Sequence, residues 1–186
     1  PIVQRGEELL KITNLTVLNN ERIKALDNVS FSAYGGEILG IAGIAGSGQK
    51  ELCEAIAGLQ HATGGSVLFQ EEHHGEKVLR DVKGRTNAEL QRAGLSYANL
   101  AFVPEDRLGM GLVGSMDMTD NIMLRSYRDR KGVFGDRKTP RALAEKLIKE
   151  LEIVTPGVET PVRRLSGGNV QKVLLGREIS FGPRVL

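Results

Sequence analysis

The 186-residue sequence has no tryptophan, three tyrosines and five phenylalanines. So few rings leave little surface on which bases can stack, which argues against single-stranded nucleic-acid binding. It has one cysteine, Cys53, so an internal disulfide framework is excluded and a reducing compartment fits best. Lying among Leu52, Ala55 and Ile56 on an expected helix, that thiol is expected to be a buried packing residue. No run approaches the roughly 18 to 20 consecutive apolar residues of a membrane-spanning helix, and the opening PIVQRGEELL lacks the charged-then-apolar layout of a secretory signal. Nor does one sign of charge dominate: 25 lysines and arginines face 23 aspartates and glutamates, interspersed rather than blocked. That balance removes the case for a nucleic-acid or membrane-surface partner recognised by bulk charge. The expectation is a soluble, cytoplasmic chain of one domain, long enough to bury a core without disulfides.

Glycine is plentiful, and it punctuates a mixed α/β pattern. ELLKITNLTVL and ALDNVSFSAY alternate apolar with polar residues and read as half-buried antiparallel strands. EILGIAG, after the Gly35-Gly36 turn, reads as a strand buried on both faces. From Gln49 to Leu59 the apolar positions recur at helical spacing, so strand, glycine loop and helix follow one another. TGGSVLFQEEHHGEKVL suggests two strands with a solvated turn, and its His73 and His74 lack a third ligand at metal-binding spacing. TNAELQRAGL reads as a short helix, LAFVPED as a buried strand, and EDRLGMGLVGSMDMTDNIML as a mobile loop leading into a helix near Thr119 or Asp120. TPRALAEKLIKELEI is a helix with Thr139 as cap, a stripe of Leu143, Leu147, Ile148 and Leu151, and a solvated Glu145–Lys149 pair. RRLSGGNVQKVLLGREI is another, capped by Ser166 and burying Val170, Val173 and Leu174, and the final PRVL begins a further strand.

The stretch GIAGSGQKEL departs from the phosphate-binding pattern G-x-x-x-x-G-K-[ST] at two positions. Gly43, Gly46 and Gly48 are in place around Ser47, but Gln49 stands where the lysine belongs and Lys50 where the hydroxyl belongs, followed by Glu51. Glycines permit backbone geometries that turn N–H groups inward as a cradle for phosphate oxygens, and the helix that follows adds its positive end. Alone, such a loop is read equally well as a tight turn. A second motif, LSGGN at Leu165 to Asn169, lies about 120 residues downstream at a helix start. There a serine hydroxyl, glycine N–H groups and the helix dipole can face another phosphate.

With these motifs in this order, the chain resembles the nucleotide-binding domain of ATP-binding cassette (ABC) transporters over essentially its whole length. LSGGN resembles the family's signature motif, GIAGSGQK sits at its Walker A loop, and FVPED sits at its Q-loop with Glu105 in place of glutamine. GIAGSGQKEL, VPEDR with the later GLV, and LSGGNVQK look most like the second, degenerate cassette of bacterial simple-sugar and nucleoside importer ATPase subunits. The resemblance implies a P-loop NTPase-like α/β fold: a mostly parallel core sheet, an N-terminal antiparallel β subdomain, and a helical subdomain at about residues 87–165 carrying the Q-loop. It implies a single cassette over residues 1–186, cut off at the start of the Walker B strand. Family members pair head to tail, so Ser166, Gly167, Gly168 and Asn169 are implied to meet ATP held by a second cassette, in the same polypeptide or a homodimer. Gly43, Gly46, Ser47, Gly48, Gln49, Lys50 and Glu51, with Glu105, are implied at the domain's own ATP. Transmembrane permease subunits are the implied partners, placing the domain at the inner face of the cell membrane, with no nucleic acid involved.

The departures gather at the own site. A charge-assisted hydrogen bond to phosphate is worth roughly 1.5 to 3 kcal/mol, and Gln49 offers a neutral amide instead. Lys50 is turned away by the roughly 100° rotation per helical residue, and an ammonium has no lone pair for Mg²⁺. The adenine-stacking aromatic usual in the family is missing from TVLNNERIK. The expectation is weak or absent ATP and Mg²⁺ at this site, no catalytic residue within the chain, and a signature motif that serves a partner. Two alternatives stay open: a slowly hydrolysing cassette in the full-length protein, and a soluble ABC protein outside transport.

Overall fold

The computed structural model describes residues 5–73, 75–85, 100–126 and 137–186. They fall into two compact units, residues 1–102 with Val185 and residues 103–184 with Leu186. His74 and the expected helix TNAELQRAGL lie outside the described residues.

The first unit is built on a four-stranded antiparallel sheet in the order β2-β1-β3-β4, from β1 (Glu8–Leu18), β2 (Lys24–Tyr34), β3 (Gly64–His73) and β4 (Glu76–Asp81). Alternation in β1 is out of phase with itself: Leu10 and Ile12 are even, Leu15 and Val17 odd, yet all four are buried. The register shift between Ile12 and Leu15 resolves this. Asn14 turns into the left-handed region at φ 48°, its N–H donates to Ser30 Oγ at 2.8 Å, and the extra residue puts both halves on one face. Leu26 of β2, Val67 and Phe69 of β3, and Leu52 and Ala55 of α1 (Gln49–Ile56) complete that core.

Three sequence expectations change here. Helix α1 ends at Ile56 and leaves Leu59 exposed. Cys53 is exposed rather than buried, because it sits one helical step, about 100°, from Leu52 and so faces away from the sheet. Residues 37–43 form no strand: Ile38, Leu39 and Ile41 are exposed, and among the described residues no strand pairs with them. An apolar run becomes a buried strand only when neighbours supply its hydrogen bonds and cover its faces. Parallel pairing among the described residues is confined to an isolated bridge between Leu100 and Val185, where Ala101 N–H donates to Val185 O at 2.8 Å.

The second unit packs three helices, α2 (Met118–Ser126), α3 (Lys138–Glu150) and α4 (Gly167–Ser180), around Leu112, Met118, Ile122, Ala144, Leu147, Val162, Val170, Val173 and Leu174. On α3 the buried side is Pro140, Ala144 and Leu147, with Leu143 and Ile148 at its edges. Arg137, not Thr139, occupies the cap position of α3, and Glu145 pairs with Arg141 rather than Lys149. The glycine- and methionine-rich stretch expected as a mobile loop is held in place. It opens with a π-helical turn at Arg107–Gly111, capped by Asp106 through Gly109 N–H. Buried Asn121 then accepts from Val113 N–H at 2.8 Å and donates to the carbonyls of Val113, Met116 and Asp117. Among the described residues no helix is long and apolar enough to cross a membrane.

Candidate phosphate-binding sites

The first candidate site is the loop before α1. Ser47 N–H donates to Ile44 O at 3.1 Å and closes a turn, after which Gly48 enters the helix in the left-handed conformation at φ 91°. No side chain caps α1. Its first-turn N–H groups, at Gln49, Lys50 and Glu51, therefore have no intrahelical acceptor and carry the positive end of the helix dipole. Residues 43–47 are exposed, so anions in solution can reach this end.

Two side chains decide what the loop can hold. The Gln49 amide folds over the loop: a methyl at Gly43 would lie 2.7 Å from Gln49 Nε2 and 3.0 Å from Ser47 Cβ. Gln49 thus covers the interior with a neutral donor. Lys50 extends along α1 towards Glu54, 3.9 Å away, and is largely exposed. Its ammonium is turned to a carboxylate one helical turn onward, and it offers a cation rather than a lone pair where a hydroxyl would bind Mg²⁺. Exposed N–H groups at a helix start suit phosphate oxygens; the donor set at Lys50 does not suit a metal ion. Among the described residues no group of three or more His, Cys, Asp or Glu is arranged to hold one.

The second candidate site, in the other unit, is the start of α4. Ser166 caps the helix in extended geometry, its Oγ accepting from Asn169 N–H at 3.4 Å. Gly167 and Gly168 are exposed, and nothing approaches a methyl built on Gly168. Asn169 does not face outward with them. Its Nδ2 donates to Ser166 Oγ at 3.0 Å and to Val154 O at 3.2 Å, while its Oδ1 accepts from Val154 N–H at 3.1 Å. The amide is occupied on both sides, so Asn169 holds the serine and the 154 turn in place and has little left to offer a ligand.

Arg107 carries no motif signal of its own, yet its Nη1 donates to Gly167 O at 3.4 Å and brings a guanidinium to this helix start. The one sequence signal was its position directly after Glu105 and Asp106, themselves exposed. Deeper in the unit, Glu178 bridges Arg177, at 2.9 Å, and Arg125, at 3.2 Å. Arg177 Nη2 also donates to Gly111 O at 2.7 Å, so α4 holds the end of the π turn. Burial pushes the Arg177 guanidinium down from its ordinary pKa, and the Glu178 carboxylate opposes that shift.

Comparison with known proteins gives a consistent result. Residues 26–186 match the ABC transporter family. The chain is 37% identical over 187 residues to the xylose import ATP-binding protein XylG of Thermoanaerobacter pseudethanolicus, covering 97% of this chain and 34% of that protein. It is 34% identical over 187 residues to the guanosine import ATP-binding protein NupO of Bacillus subtilis, covering 98% of this chain and 34% of that protein. The chain therefore spans about a third of the length of these curated relatives. Among solved structures, the dimeric bacterial ABC transporter cassette MJ0796 is similar with a TM-score of 0.70 at 23% identity, over 94% of this chain and 71% of that one. A post-hydrolysis form of the same cassette, bound to ADP and Pi, gives a TM-score of 0.69 at 23% identity over the same shares.

Proposed function

Given that the chain belongs to the ABC transporter family and has the fold of its ATP-binding cassettes, we propose that it is one ATP-binding cassette of an importer for simple sugars or nucleosides. Its own nucleotide site is weakened, and its signature motif serves ATP held by a partner cassette. The observation that carries this reading is the pairing of an open helix start with side chains unlike the phosphate-loop pattern: left-handed Gly48 and uncapped α1, but a neutral Gln49 over the loop and Lys50 drawn to Glu54. The names of the relatives support the transported classes, xylose and guanosine among them. As a cassette of this family it works beside a second cassette and transmembrane permease subunits, which hold it at the membrane.

The chemistry follows from the two helix starts. At the phosphate loop, backbone N–H groups and the dipole of α1 attract the polyphosphate, and the loss of an ammonium contact lowers affinity by roughly tenfold to a hundredfold. At α4, Ser166 Oγ and the outward N–H groups of Gly167 and Gly168 present donors to phosphate oxygens approaching from another cassette. Arg107 adds positive charge beside them.

Calorimetric titration of Mg-ATP tests the first half. Gln49→Lys combined with Lys50→Ser is expected to tighten binding by about tenfold or more, and an unchanged Kd contradicts the weakened-site reading. The second half is tested in the full-length subunit with Ser166→Asp. Aspartate caps a helix as well as serine does, so α4 stays intact while a negative charge faces the incoming phosphate. ATP turnover is expected to fall by more than about tenfold through like-charge repulsion. Unchanged turnover removes the trans role.

A further inference from the structure

We propose that Arg107 is a positioning residue for the glycine pair at the start of α4. By holding the Gly167 carbonyl it fixes the N–H groups of Gly167 and Gly168 in the orientation that meets phosphate. This rests on the reading that these groups serve ATP held by a partner cassette.

The need for support comes from the sequence. Glycine has the lowest helix propensity after proline, because its backbone loses the most freedom on ordering, and here two glycines open the helix together. A helix end of this kind frays unless neighbouring groups hold it. Ser166 is one such group: its Oγ accepts from Asn169 N–H at 3.4 Å, and its carbonyl accepts from Val170 N–H at 2.9 Å. Both bonds end on Ser166, and neither reaches an atom of Gly167 or Gly168. Arg107 supplies that contact. Its Nη1 donates to Gly167 O at 3.4 Å, and a methyl built on Gly167 would lie 3.5 Å from the same nitrogen.

The segment that carries Arg107 is fixed to the same helix. Its π-helical turn is closed by Leu112 N–H donating to Arg107 O at 2.7 Å and by Gly109 N–H donating to Asp106 Oδ1 at 2.8 Å. The far end of the turn lies against α4: Arg177 Nη2 donates to Gly111 O at 2.7 Å, and a methyl at Gly111 would lie 2.8 Å from Leu174 Cδ2. Arg107 is thus based on the body of α4 and reaches back to its first residue, across about 10 to 15 Å of helix. A donor anchored in this way restrains the glycine pair before any ligand arrives, which removes an ordering cost from binding.

Position, rather than charge, is what Arg107 contributes. Arg163 and Arg164 directly precede the motif, both exposed, and bring two further positive charges to this end of the unit. Exposed charges are screened over about 8 to 10 Å at physiological salt, so removing one of the three changes the local field little. The contact with Gly167 is a different matter. Among the described residues Arg107 is the side chain that hydrogen-bonds to the glycine pair, whereas Arg163 and Arg164 hold the preceding turn through their backbone N–H groups, to Gly114 O and Pro161 O at 3.0 and 2.9 Å.

Amide exchange in the 186-residue chain and ATP turnover of the full-length subunit test this. Arg107→Ala is expected to accelerate exchange at Asn169 and Val170 by about fivefold, the scale of one hydrogen bond, with Val173 and Leu174 unchanged. In turnover it should raise KM for ATP by about the same factor and leave kcat within about twofold, as loss of ground-state positioning does. Arg107→Lys, which keeps a charged donor, should recover most of both effects. Arg164→Ala, which removes an equal charge, should produce neither. Unaltered exchange at Asn169 and Val170 in Arg107→Ala overturns the proposal, as does equal acceleration along all of α4, which would make Arg107 a general support of the helix. An equal rise in KM for Arg164→Ala overturns it in favour of charge. Faster exchange with unchanged KM overturns the functional role; the trans reading falls with it only if Ser166→Asp also leaves turnover unchanged.

Discussion

Replacing Gly48 with alanine is expected to abolish detectable nucleotide binding and to destabilise the first unit by about 2 to 5 kcal/mol, the sum of two costs. Gly48 sits at φ 91°, where a side chain costs about 1 to 2 kcal/mol, and the new methyl lies 2.3 Å from the Ala25 carbonyl oxygen. That contact is with backbone of β2, which a rotamer change cannot relieve, so either the loop lifts from the sheet or the strand moves. Overpacking of this kind costs about 1 to 3 kcal/mol more. Gly46 is the internal control: its φ is 82° but nothing approaches a methyl there. Gly46→Ala should bear the conformational cost alone, about 1 to 2 kcal/mol. Urea unfolding separates the two variants by their midpoints at constant slope, and calorimetry with ATP reports the loss of the site. Equal midpoints for both would mean that the packing of Gly48 on Ala25 contributes nothing.

Glu178→Ala is expected to cost about 3 to 5 kcal/mol, the range for removing one partner of a buried ion pair. Glu178 is 3% exposed, and the guanidinium groups of Arg177 and Arg125 converge on its two carboxylate oxygens. Without it, Arg177 keeps its carbonyl contacts at Gly111 and Asn121 but has lost its counter-charge in a site that already disfavours the charged form. Glu178→Gln retains the shape and one acceptor, so its cost should be smaller than that of the alanine. Because Arg177 also holds Gly111, amide exchange at Leu112 and Val113 should accelerate in Glu178→Ala beyond the change at β1. A loss of stability below about 1 kcal/mol, the scale of exposed pairs, would show the cluster to be solvated.

Features set by neighbours close in the chain were legible in the sequence. Ser166 capping α4 is a contact over three residues, and the alternation within each half of β1, Leu10 with Ile12 and Leu15 with Val17, is a property of the strand itself. The direction of Lys50 away from the loop followed from helical rotation alone, and its carboxylate partner, Glu54, is one turn away. The bulge at Asn14 was hidden because it depends on Ser30 of another strand and on Gly65, whose missing side chain leaves room for the Asn14 carbonyl. Asn169 belonged by motif to the exposed signature residues, yet Val154, fifteen residues earlier, engages its amide. The role of Arg107 is hidden in the sequence because its contact with Gly167 spans sixty residues.

By itself the sequence determined the family, the order of the two glycine motifs and the side chains missing at the phosphate loop, because these are matters of residue identity at fixed spacing. Tertiary structure decided which of those residues are free to act. It drew Gln49 over Gly43, seated Gly48 against Ala25, committed Asn169 to Val154, and left Cys53 and residues 37–43 exposed. The physical reason is that a hydrogen-bonding group or an apolar face is satisfied by whichever partner the folded chain brings to it, and that partner need not be a neighbour in sequence.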